Sequence, residues 1–166
     1  MKLSSKGRYA VMAMADLARA DAKGPVTLAE IASRQEISQS YLEQLFARLR
    51  RGGVVTSVRG PGGGYRLARP ADEIDIAEII LAVDEPVRAI RCAGMASRGC
   101  LSGGERCLTH DLWEELGDQI HLFLSGVTLA DVVTRRVLGA ARRHMAAVRA
   151  AAPEHVPAAA WKGAAE

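Results

Sequence analysis

All three cysteines of the 166-residue chain, Cys92, Cys100 and Cys107, fall between positions 92 and 110, together with His110, one of four histidines. The sequence around them is rich in Gly, Ser and charge and can build little apolar core. That is an unusual setting for a residue type that is most often buried. Three soft thiolates and an imidazole can converge on one metal centre. An iron–sulfur cluster, a structural zinc and three unliganded cysteines all remain open on chemistry alone. Zinc knuckles usually space their cysteines by two to four residues, whereas here seven and six residues intervene. Cys107 and His110 are three apart, and a helix from about Leu108 to Leu124 would project both from one face at its start.

The elements that must position such a centre can be read from either side of it. Net charge is +3, but residues 1–70 carry twelve Lys/Arg against five Asp/Glu, and residues 71–166 carry ten against fourteen. A basic N-terminal half points to a polyanion partner, most simply nucleic acid. No apolar run is long enough to span a membrane, and the first seventeen residues lack the apolar stretch of a signal peptide. A cytoplasmic protein with no membrane partner is expected. An odd cysteine count in a reducing compartment argues against a disulfide framework.

Ser4 or Ser5 can cap a helix to about Asp21, broken at Lys23–Gly24–Pro25. Thr27–Leu28–Ala29–Glu30 is a capping box opening a short helix to about Gln35. Ile37–Ser38 reads as a turn. A second helix, about Gln39–Arg51, buries Leu42, Leu45, Phe46 and Leu49 and ends at Gly52–Gly53. Its outer face carries Gln39, Ser40, Glu43, Gln44, Arg48, Arg50 and Arg51. Two short adjacent helices with such a face predict helix-turn-helix. Strands at Val54–Val58 and Tyr65–Ala68 flank Arg59–Gly60–Pro61–Gly62–Gly63–Gly64, a hairpin tip whose backbone can approach a surface closely. The predicted fold is mainly α: a winged helix-turn-helix with a small β-hairpin wing, plus a long dimerisation helix.

On this reading Ser40, Glu43, Gln44 and Arg59 lie near base edges, Arg59 in the minor groove. Lys6, Tyr41, Arg50 and Arg51 suit phosphates, and Gln39, Arg48 and the wing glycines Gly60, Gly62 and Gly63 complete the surface offered to double-stranded DNA. A winged helix that binds protein instead is the alternative. The glycine run is not followed by Gly-Lys-Ser/Thr, so a nucleotide loop is not indicated.

Asp75–Ile76–Ala77–Glu78 starts a helix to about Val83. Beyond the cysteines, Leu112, Trp113, Leu116, Ile120 and Phe123 make a face too apolar for solvent, as a dimer contact would require. Thr128–Leu129–Ala130–Asp131 opens a last helix. The chain thus divides into a winged-helix region (1–70), a cysteine loop with dimerisation helices (71–137) and a tail (138–166) whose Ala-, Arg- and Pro-rich composition predicts disorder. No Ser/His/Asp set or paired-carboxylate site points to an enzyme.

Four stretches carry a resemblance: Leu3–Ser4–Ser5–Lys6–Gly7–Arg8–Tyr9–Ala10–Val11, Ser40–Tyr41–Leu42–Glu43–Gln44–Leu45–Phe46, Ser57–Val58–Arg59–Gly60–Pro61–Gly62–Gly63–Gly64–Tyr65 and Arg106–Cys107–Leu108–Thr109–His110. With them the chain resembles the IscR-type regulators of the Rrf-two family of winged-helix transcription factors. The resemblance implies a homodimeric regulator that repress or activate cluster-assembly genes according to iron–sulfur status. It implies a 2Fe-2S cluster on Cys92, Cys100, Cys107 and His110, and base reading by the Ser40–Gln44 face and Arg59. Sibling regulators that sense iron or nitric oxide use a three-cysteine cluster without this histidine. The Thr109–His110 pair sides with the IscR type. The familiar IscR-type spacing is five and five residues, and this chain departs from it.

Overall fold

A computed structural model describes residues 5–84, 100–101 and 104–137, with 139, 143 and 147 singly. Cys92 and nearly all of the tail lie outside the described residues. Six α-helices and one hairpin are described: α1 (Ser5–Ala20), α2 (Leu28–Gln35), α3 (Gln39–Arg51), β1 (Val55–Val58), β2 (Gly64–Leu67), α4 (Ile76–Ala82), α5 (His110–Ser125) and α6 (Leu129–Val133). A short 3-10 turn, Asp21–Lys23, follows α1.

Helix starts follow local chemistry. Thr27 accepts a hydrogen bond from the Glu30 N–H while the Glu30 carboxylate accepts from the Thr27 N–H, which satisfies two end donors at once. Ser38 caps α3 by accepting from Tyr41 N–H, Asp75 caps α4 by accepting from Glu78 N–H, and Thr128 with Asp131 forms a second capping box. The Thr128 N–H and hydroxyl, both donating to Asp131, hold its carboxyl below the usual carboxylate range. A depressed folded pKa adds stability above the unfolded value, and that stability is lost as pH falls through the folded one. Thr128→Ala should therefore cost about 1 kcal/mol at neutral pH. In urea titrations from neutral to acid pH, the gap to wild type should narrow once Asp131 protonates.

One hydrophobic cluster runs through these elements. Ala10, Ala13, Met14 and Leu17 of α1, Ile31 of α2, Leu42, Leu45, Phe46 and Leu49 of α3, Ile79 and Ile80 of α4 and Leu129 of α6 are buried in it. The helix-turn-helix stripe read from α3 is thus the inner one. A polar lock fixes α1 against α2. Asp16 is buried, and Arg34 grips both its carboxylate oxygens, Nη2 to Oδ2 at 2.7 Å and Nε to Oδ1 at 3.1 Å. Gln35 adds a third donor at 3.0 Å. Arg34 stays charged, its pKa raised chiefly by its hydrogen bonds to Asp16.

The hairpin is antiparallel, with Val55 opposite Leu67 and Val58 opposite Gly64. β1 starts one residue later than the sequence reading and ends where expected, and β2 is shifted one residue earlier, to Gly64–Leu67. Val54 belongs to the turn out of α3, its N–H donating to the Leu49 carbonyl at 3.2 Å. Val26 joins the hairpin's other edge through reciprocal bonds with Tyr65 at 2.9 and 2.7 Å. A side chain at Gly64 would strike the Val26 backbone at about 2.5 Å, so only glycine permits this approach. The Tyr65 ring packs edge-on against Phe46, with centroids 4.8 Å apart.

Candidate metal centre and nucleic-acid interface

The sulfur–imidazole group stands at the start of α5. The expected helix from Leu108 begins two residues later, because Leu101, Gly104 and Cys107 form turns instead. The Gly104 N–H donates to the Leu101 carbonyl at 3.0 Å, and the N–H groups of Cys100 and Leu101 both donate to the Glu105 carbonyl at 2.8 and 3.1 Å. Cys107 therefore does not share a helix face with His110. It lies in the preceding turn, where its carbonyl accepts the His110 N–H at 3.0 Å.

That turn nevertheless brings the two together with Cys100. The His110 ring is buried, and its Nδ1 lies 2.9 Å from the Cys100 sulfur. Cys107 Sγ lies 3.7 Å from the Thr109 hydroxyl. Hydrogen bonds, first from that hydroxyl and then from the Cys100 thiol, hold the Cys107 thiol below the ordinary thiol range. Among the described residues, Cys100 and His110 are thus in contact and Cys107 lies in the turn before His110, while the fourth soft donor read from the sequence, Cys92, lies outside the description. Thr109, read from the sequence only as part of the Thr109–His110 resemblance, gains its contact with the Cys107 sulfur in the structure.

Beyond His110, α5 carries an exposed apolar stripe. Leu112, Trp113, Leu116 and Phe123 are exposed and Ile120 is half-buried, while Leu124 packs on the core. Among the described residues no helix is long and apolar enough to cross a membrane.

The second surface lies on α3 and the wing. Gln39, Ser40, Glu43, Gln44, Arg50 and Arg51 are exposed on α3, and the Gln39 amide donates to the Glu43 carboxylate at 3.2 Å. Tyr41 is half-buried, edge-on to Tyr9 at 5.9 Å. Arg59, Gly60 and Gly62 stand exposed at the wing tip, and the tip is closed by the Gly63 N–H donating to the Gly60 carbonyl at 2.9 Å. Gly60 and Gly62 take φ of 103° and 74°, backbone that a side chain would strain. Two of the basic residues read as facing DNA are engaged elsewhere. Arg48 pairs with the Asp84 carboxylate, and Lys6 Nζ reaches the Asp84 carbonyl at 3.5 Å. Asp84 lies at the exit of α4, a position that sequence separation concealed.

An exposed helix with a polar, basic face beside a glycine-tipped hairpin carrying Arg59 defines the class: a winged helix-turn-helix protein that binds DNA. Comparison with known proteins narrows this. The chain belongs to the Rrf2 family, described as an iron-dependent transcriptional regulator, which matches residues 3–135. It is 58% identical over 136 residues to the HTH-type transcriptional regulator IscR of Photorhabdus laumondii, covering 82% of this chain and 81% of that one. It is 55% identical over 150 residues to IscR of Pectobacterium carotovorum, covering 90% of each. Among solved structures, T. potens IscR superposes with a TM-score of 0.67 at 38% identity, over 82% of this chain and 88% of that one. CymR, the global cysteine regulator of B. subtilis, gives 0.69 at 33% identity, over 81% and 98%. These relatives are transcriptional regulators, so the chain is a DNA-binding regulator rather than an enzyme.

Proposed function

We propose that the chain is a cytoplasmic, homodimeric regulator that reports iron–sulfur status to the genes of cluster assembly. It would do so by holding a 2Fe-2S cluster on Cys92, Cys100, Cys107 and His110. The observation that carries this is the approach of the Cys100 sulfur to His110 Nδ1 at 2.9 Å, with Cys107 in the turn directly before His110. The four donors named are all thiol or imidazole, a set that suits iron–sulfur chemistry. An imidazole in place of one thiolate lowers the negative charge at the site and raises the potential of a bound cluster.

His110 is at once a donor in this set and the first residue of α5. The exposed stripe of Leu112, Trp113, Leu116 and Phe123 follows on the same helix, and a second copy of the chain is the occupant proposed for it. Ligation would tie the turns at Cys100 and Cys107 to the helix that sets the spacing of the two recognition helices. Occupancy changes DNA choice only if one dimer arrangement binds the group more tightly than the other. The test is purification without oxygen, with absorption, iron and sulfide measured. Equal iron and sulfide with visible absorption is expected. A colourless protein holding stoichiometric zinc, and no iron after reconstitution, would overturn the reading.

The DNA surface has its own expected result. Arg59→Ala should weaken binding to every duplex by about 1–3 kcal/mol, with a shallower salt dependence. Glu43→Ala should leave total affinity nearer to wild type and relax the choice of one base pair by about 1–3 kcal/mol. Competition binding against a panel of single-base variants separates the two, and wild-type behaviour of both would remove α3 and the wing from base reading.

A further inference from the structure

The imidazole of His110 has two nitrogens, and each has a different neighbour. Nδ1 faces the Cys100 sulfur at 2.9 Å. Nε2, on the opposite edge of the ring, lies 3.8 Å from Oε2 of Glu114. Glu114 is four residues further along α5, so this approach is built into the helix. The same Oε2 lies 3.8 Å from Nη1 of Arg106, and that guanidinium nitrogen also reaches Oδ1 of Asp111 at 3.6 Å. Arg106 immediately precedes Cys107, so the carboxylate is bracketed by the two ends of the same ligand-bearing turn.

A neutral imidazole gives a metal only one nitrogen, and the proton stays on the other. Which nitrogen keeps the proton is decided by what stands opposite it. We propose that Glu114 is the positioning residue for His110: it accepts the Nε2 proton, turns the Nδ1 lone pair toward the sulfurs, and so sets both the grip and the electron affinity of the centre. This rests on the reading that Cys92, Cys100, Cys107 and His110 hold an iron–sulfur cluster. The Glu114 side chain is half exposed and has the freedom to close from 3.8 Å to hydrogen-bond distance, while the buried ring does not move far. Arg106 keeps the carboxylate on this side of the helix. A carboxylate behind a ligand imidazole makes that ligand more basic and favours the oxidised state. Nothing of this kind follows from the Cys and His spacing, since Glu114 lies outside the donor pattern.

The experiment uses the full chain, reconstituted with iron and sulfide without oxygen, as wild type, Glu114→Ala, Glu114→Gln and the helix control Glu115→Gln. Three quantities are read: iron retained against a competing chelator, reduction potential, and the nitrogen hyperfine coupling of the reduced state in protein labelled with 15N-histidine. Glu114→Ala should weaken iron retention by about 10- to 100-fold and alter the histidine coupling. Glu114→Gln keeps an acceptor and should restore most of the retention while raising the potential, because the charge is gone. Glu115→Gln should match wild type in all three. The inference is overturned if Glu114→Ala matches wild type, or if Glu115→Gln shifts the potential as far as Glu114→Gln, which would reduce the effect to net charge. A wild type that takes up no iron overturns the cluster reading itself, and is seen before any variant is compared.

Discussion

Cys107→Ala, purified without oxygen, will lose its visible absorption and roughly nine-tenths or more of its iron, while its winged helix unfolds within about 0.5 kcal/mol of wild type. The two halves of this expectation come from the same fact. Cys107 lies in a turn outside the core, so its side chain contributes nothing to the cluster of buried residues that holds the fold. Its whole contribution is chemical. The Thr109 hydroxyl, and then the Cys100 thiol, already bias it toward the thiolate, the form that binds metal. Its backbone carbonyl accepts the His110 N–H at 3.0 Å and so keeps two donors in register. An alanine retains that carbonyl and removes only the sulfur. Iron content, sulfide content and a urea titration on one preparation check both halves. A variant that keeps wild-type iron would remove Cys107 from the ligand set, and one that loses the fold would show that the turn is structural.

Phe46→Ala is expected to have the opposite profile. Phe46 is fully buried at the centre of α3 and meets the Tyr65 ring edge-on at 4.8 Å. Removing the ring opens a cavity and costs about 3–5 kcal/mol. A domain of this size has about 5–15 kcal/mol in total, so much of the margin is lost. The damage is also local to function. Tyr65 is the residue through which β2 bonds to Val26, and it keeps its place by packing on Phe46. DNA affinity should therefore fall even at temperatures where the variant is still folded. Phe46→Leu, closer in volume, should recover most of the stability. Urea midpoints, and binding measured well below them, distinguish lost folding from a loosened wing.

Features that a few neighbouring residues decide were legible in the sequence. The caps at Thr27, Ser38, Asp75 and Thr128 depend on side chains reaching backbone within three positions, and each bonds as read. The apolar spacing of Leu42, Leu45, Phe46 and Leu49 gave the buried face of α3, and the glycine run gave the hairpin tip. What was not legible lies between distant positions. The Asp16–Arg34–Gln35 lock spans 18 and 19 positions and shows in the sequence only as an acid on an otherwise apolar stripe. Arg48 and Lys6 meet Asp84 across 36 and 78 positions, so charge alone placed them on the outer face. Cys107 failed in another way. Three-residue spacing to His110 fits a helix, but Thr109 makes no side-chain cap, and the helix starts only at His110. The contact of Cys100 with His110 lies between residues singled out by type, and its distance of 2.9 Å was not legible.

The wing combines a stiff root with a compliant end. Beyond the last strand pairing, at Val58 and Gly64, only Arg59, Gly60, Pro61, Gly62 and Gly63 remain, and the space beside Gly60 and Gly62 is open. Below that point the hairpin is tied on both edges, strand to strand and Tyr65 to Val26. Ordering a residue costs about 1–2 kcal/mol of backbone entropy. Folding has already met that cost for the root, so any adjustment on docking to a duplex falls on the short glycine-bearing end. The end that carries Arg59 is thus the part of the wing left to adjust to a groove without disturbing α3, so groove fit and base reading can be varied independently.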